Sequence, residues 1–148
     1  MAKILDALPN ELVESLQGEK IVTFITLDKE TKEPQISAVS WVLAQPDGKT
    51  IKIAVGHNAH CASNVQANPQ VTLGVIGAGS YFEIKGNAEV SDIHNGTMKF
   101  RVITVSVQSV EDVMFYGGKV TAEPQYEKTY DAELAKKLDQ EIYDVLKQ

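Results

Sequence analysis

Apolar residues recur at every second position through the middle of the chain and at every third or fourth position near its ends. In Thr50 to Val55 (TIKIAV), Ile51, Ile53 and Val55 share one face, which is the period of a half-buried strand. Lys20 to Leu27 (KIVTFITL), Gln35 to Ala44 (QISAVSWVLA), Val71 to Ile76 (VTLGVI), Tyr81 to Val90 (YFEIKGNAEV) and Phe100 to Val107 (FRVITVSV) are likewise rich in β-branched and aromatic residues. Polar or turn-forming stretches separate them: Asp28 to Pro34, Pro46-Asp47-Gly48 and Gly77 to Ser80. Gly86, inside the fifth strand, suggests a bulge. At the N-terminus Leu8, Leu12 and Leu16 recur every fourth residue, with Leu5 and Val13 beside them, so Asp6 to Gln17 reads as a short helix. Pro9 suits its first turn and Gly18 its end. At the C-terminus Leu134, Leu138, Ile142, Val145 and Leu146 make a helical stripe over Asp131 to Lys147, with Asp131 as cap. One segment breaks the strand series: His57 to Asn68 reads as a short helix capped by Asn58 and stopped by Pro69.

Six strands joined by short turns imply an antiparallel sheet, closed or nearly closed so that its edges are hidden. A doubly wound α/β fold needs helices between most strands, and they are absent. The 148 residues fit one domain, residues 1–148, with the barrel at about 20–107 and a tail and helix at 108–148.

Composition narrows the partners. With 43% hydrophobic and 23% charged residues the chain reads as an ordinary globular protein. Its net charge of −6 argues against a nucleic-acid surface and against docking on an anionic membrane. No apolar run approaches the roughly 20 residues that cross a bilayer. The N-terminal residues carry no secretory pattern and Cys61 is the single cysteine, so the cytoplasm is the expected compartment. Arg101 is the one arginine among fourteen basic residues, hence the one candidate for fork-like recognition of a phosphate or carboxylate.

The stretch with the most chemical content is Val55 to Pro69, VGHNAHCASNVQANP. A strand ends, Gly56 frees the backbone, and a helix begins. The start of a helix presents unpaired N–H groups and partial positive charge, which suits a phosphate. Asn58, His60, Ser63 and Asn64 can add side-chain hydrogen bonds. An ordinary capped turn has the same pattern.

These residues also carry a resemblance. The order of elements, the segment Cys61-Ala62-Ser63-Asn64-Val65-Gln66-Ala67-Asn68-Pro69 before Val71-Thr72-Leu73, the upstream EPQISAVSWVLAQPDGKTIKIAVG and the later SYFEIKGNAEV resemble the pyridoxamine 5′-phosphate oxidase-like, FMN-binding split-barrel family. The resemblance spans roughly Leu8 to Val107. It implies a mainly β fold, a six-stranded antiparallel split β-barrel of Greek-key type with a short N-terminal and a longer C-terminal helix. It implies a homodimer with FMN at the subunit interface, acting as an oxidoreductase on a small molecule. The cofactor positions it implies are Ser37, Ala38, Val39 and Ser40, then Val55, Gly56, His57, Asn58, His60, Cys61, Ala62 and Asn64. It assigns no catalytic residue.

One position departs from the family. Where a phosphate-gripping lysine is usual, this chain has Cys61 next to His60. Losing a charge-assisted hydrogen bond costs on the order of 1.5–3 kcal/mol, or roughly tenfold to a hundredfold in affinity. Arg101 and Lys52 are candidates to compensate. A non-catalytic or ligand-sensing relative with weak or no FMN binding is the alternative reading, and deazaflavin or haem are alternative ligands of the cleft.

Single residues keep two readings each. Trp41 either stacks near a flavin or packs in the core or between subunits. Cys61 is either redox-active at a helix start or a small inert residue. Arg101 either reaches a phosphate, snorkels to solvent or pairs with a carboxylate. His57, His60 and Cys61 lie too close together in sequence for a tetrahedral metal set without a distant ligand, so no metal is expected.

Overall fold

A computed structural model describes residues 3–148. Its elements run α1 (Asn10–Ser15), β1 (Val22–Leu27), β2 (Pro34–Val39), β3 (Val42–Ala44), β4 (Thr50–Gly56), α2 (His60–Ala67), β5 (Gln70–Gly77), β6 (Ser80–Val90), β7 (His94–Asn95), β8 (Lys99–Asp112) and α3 (Ala132–Leu146). All strand pairs are antiparallel, in the order β2-β1-β5-β6-β8-β4-β3, with β7 on β8. The two edges of this order, β2 and β3, are consecutive in the chain and joined through Ser40 and Trp41. The sheet is therefore curled round and its edges are linked covalently, which makes a split barrel.

That link and the short β7 together correct the strand count from six to eight. The expected strand Gln35 to Ala44 breaks at Ser40-Trp41, and its halves pair with different partners, β2 with β1 and β3 with β4. No glycine or proline marks the corner. The last long strand also runs past Val107 to Asp112, because β6 supplies partners as far as Phe82↔Asp112. The two-residue β7, His94–Asn95, was hidden in polar sequence. The Gly86 bulge is present as a register shift between Lys85 and Gly86.

The alternation of β4 fills two cores. Ile51, Ile53 and Val55 join Phe24, Leu73, Ile84 and Ile103 inside the barrel. On the other face, Ala54 joins Leu43, Phe100 and Val102 beneath Ile142 and Leu146 of α3. The Leu8, Leu12 and Leu16 stripe is buried as its spacing predicts. Helix α1 is nevertheless shorter than Asp6 to Gln17: Pro9 is its N-cap rather than its first turn. The Leu16 carbonyl accepts from Ala44 N at 2.8 Å, so the end of α1 covers the β3 edge. Asp131 caps α3 by accepting from Leu134 N at 3.0 Å. Among the described residues no helix is long and apolar enough to cross a membrane.

Candidate functional site

The turn from β4 into α2 is built by short backbone bonds. His57 N–H donates to Lys99 O at 3.2 Å and Ala59 N–H to Gly56 O at 3.0 Å. Helix α2 then starts at His60 with Ala59 as N-cap and no side-chain cap bond. Asn58, expected as the cap, is exposed instead. The turn reaches the helix one residue later than the cap preference suggests, and the first N–H groups of α2 receive no capping side chain.

One face of α2 seals the barrel. Cys61, Ala62 and Val65 are core residues, 3%, 2% and 3% exposed. Burial pushes the Cys61 thiol up, with the Ser37 hydroxyl within hydrogen-bonding reach working against the shift. The thiol therefore stays protonated at neutral pH, which is the inert reading of this residue. Asn64 is 2% exposed and fully engaged: Nδ2 donates to Thr26 Oγ1 at 3.0 Å and Gln35 Oε1 at 2.7 Å, and Oδ1 accepts from Lys29 N at 3.1 Å. It ties α2 to the β1–β2 hairpin.

Between that hairpin and α2 lies a cleft of about 320 Å³ lined by Asp28, Lys29, Glu30, His60, Ser63 and Asn64. The Asp28 carboxylate accepts from the N–H groups of Glu30 and Thr31, both at 2.9 Å. Those donors, Thr31 first, hold its carboxyl below the usual range.

The expected cofactor residues thus fall into separate places. His60 and Asn64 line the cleft, whereas Cys61, with Ser37 beside it, is outside its lining. Val39, Val55 and Ala62 belong to the barrel core. Ala38 is exposed on the outer face of β2, and Gly56 has open space where a Cβ would stand. The His57 carbonyl accepts from Arg101 Nε at 3.4 Å. Ser40 lies at the barrel corner, where its carbonyl accepts from Tyr143 Oη at 3.4 Å. Asp28, Lys29 and Glu30 were missed. They read as turn material, and their position beside α2 depends on a contact 35 residues apart.

The candidate cations are committed elsewhere. Arg101 donates to the carbonyls of His57 and, from Nη1 at 2.9 Å, of Ser91, stapling two loops. Lys52 donates to Gln148 at the end of α3. Trp41 takes its packing role at the β2–β3 corner: Nε1 donates to Asp139 Oδ1 at 2.8 Å, and Lys128 Nζ sits 5.5 Å from its ring centroid while donating to the same carboxylate at 2.9 Å. The tail that delivers Lys128 also brings Tyr126 Oη to Glu19 Oε2 at 2.8 Å.

The family model described as pyridoxamine 5′-phosphate oxidase matches residues 8–114. No curated protein matches the chain. Among solved structures, a putative pyridoxamine 5′-phosphate oxidase from Listeria innocua is 15% identical, with 69% of this chain and 92% of that chain covered and a TM-score of 0.54. An F420 reductase is 18% identical over 70% of this chain and 98% of that one, with a TM-score of 0.55. HupZ from Group A Streptococcus is 14% identical over 76% and 95%, with a TM-score of 0.58. At these identities the structures speak for the fold. With the family model covering most of the chain, this protein belongs to the pyridoxamine 5′-phosphate oxidase family.

Proposed function

We propose that this chain is a flavin-binding oxidoreductase acting on a small molecule in the cytoplasm, with FMN the first cofactor to test. The observation that carries this reading is the split barrel with an uncapped α2 starting beside β2, within a family defined by an oxidase. A bound flavin would supply the redox chemistry, and the protein its binding and orientation. The F420 reductase among the structural neighbours makes a deazaflavin the second cofactor to try.

A homodimer is part of the same reading. Helix α3 covers the outer face of β3, β4 and β8, while among the described residues no helix covers the outer face of β2, β1 and β5. There Ile36 is 70% exposed and stands opposite Ile25, with Leu27 and Ile76 also half exposed. A second copy would bury these residues. A non-catalytic, ligand-sensing barrel is the second reading, favoured by the buried neutral Cys61 where the family has lysine.

The test is an absorbance and fluorescence titration of apo-protein with FMN, alongside light scattering of the native chain and Ile36→Glu. One flavin per subunit at micromolar affinity and a dimer broken by Ile36→Glu support the reading. No saturable binding of any flavin removes it in favour of the sensing barrel.

A further inference from the structure

The charge of the α2 cleft disagrees with a phosphate as the anchor of the ligand. Its lining sets two carboxylates, Asp28 and Glu30, against one ammonium, Lys29, and the imidazole of His60. The whole β1–β2 turn adds Glu33 and Lys32, whose Nζ is turned onto the Lys29 carbonyl at 3.1 Å. The backbone bonds that Asp28 accepts keep its carboxyl ionised across the working pH range. Cys61, where the family has its lysine, is a thiol buried in the barrel core and outside the cleft lining, with no charge to offer. Arg101 holds the carbonyls of His57 and Ser91, Lys52 holds the C-terminal residue, and Lys20 holds Glu123. The start of α2 contributes about half a positive charge, less than the excess carboxylate removes. A phosphate dianion placed here gains little Coulomb attraction and loses its hydration.

We propose that the cleft does not select for a terminal phosphate, so that riboflavin and FMN bind alike. This rests on the flavin-binding reading above. The phosphate-free end would lie among Ser63, His60 and the free N–H groups of α2, which hydrogen-bond a hydroxyl as readily as an anion.

The experiment titrates the full apo-chain with FMN and separately with riboflavin, at low and high salt. The expected dissociation constants agree within about threefold and respond weakly to salt, whereas a fixed cation would separate them by roughly tenfold or more. Cys61→Lys should tighten FMN roughly tenfold while leaving riboflavin unchanged. Because Cys61 is buried, Glu30→Lys on the exposed turn provides a second variant, and it should move the ratio the same way with a gain that high salt removes. A native preference for FMN above about tenfold, or a ratio that neither variant moves, overturns the proposal while leaving flavin binding intact. Failure of both flavins to bind instead overturns the reading on which it rests.

Discussion

Replacing Asn64 by alanine separates a structural role from a ligand-binding one. The side chain makes three hydrogen bonds, to Thr26, Gln35 and the backbone of Lys29, from a position 2% exposed. A typical internal hydrogen bond contributes about 1 kcal/mol net. Gln35 is half exposed and can regain water, so its loss lies at the low end. Thr26 is 0% exposed, and its hydroxyl would be left without the Asn64 donor. Asn64→Ala should therefore cost roughly 2–4 kcal/mol in the ligand-free protein. Urea unfolding followed by the single tryptophan, Trp41, measures this as a shift in midpoint at constant slope. Thr26→Val alone should cost about 1 kcal/mol, since Asn64 keeps Gln35. The double variant should cost about 1 kcal/mol less than the sum, because the stranded hydroxyl is gone. A loss below about 0.5 kcal/mol for Asn64→Ala, or strict additivity, would refute the argument that Asn64 serves first as a tie between α2 and the β1–β2 hairpin.

Gly86→Ala should destabilise by about 3 kcal/mol, because a Cβ there would meet Ser106 O at 2.4 Å and Val105 Cγ1 at 2.8 Å, whereas Gly56→Ala, with nothing within 4 Å, should shift the same urea midpoint hardly at all. Ile142→Ala, at a site 1% exposed on the inner face of α3, should cost about 3 kcal/mol and red-shift Trp41 emission as Asp139 loses its hold on the indole. Burial pushes both the Cys61 thiol and the Tyr143 hydroxyl up, the latter helped by nearby Glu19, so the folded chain holds these protons more tightly than the unfolded one. Stability is then at its full value below the ordinary thiol pKa of 9.0 and falls as pH rises through that value and past 10.0. Thermal melts of Tyr143→Phe should show a shallower alkaline fall than the native chain, and an identical fall would exclude Tyr143 as a cause.

What the sequence determined by itself were features set by local periodicity and local chemistry. The alternation in TIKIAV placed Ile51, Ile53 and Val55 inward, the four-residue leucine spacing placed Leu12 and Leu16 in the core, and Asp131 marked the start of α3. Gly86 announced its bulge because only a residue without Cβ tolerates the close approach of β8. Tertiary structure alone decided the rest. The corner at Ser40-Trp41 carries no turn residue, since each half of the stretch is strand-forming and only the choice of different partners separates them. The extension of β8 to Asp112 depends on β6, not on its own polar residues. The cleft joins α2 to a turn some thirty residues upstream through one buried amide, and its acidic wall is invisible to any pattern read along the chain. Charge and burial at a site are sums over neighbours in space, so the residues that decide what this protein holds became readable once the barrel had brought them together.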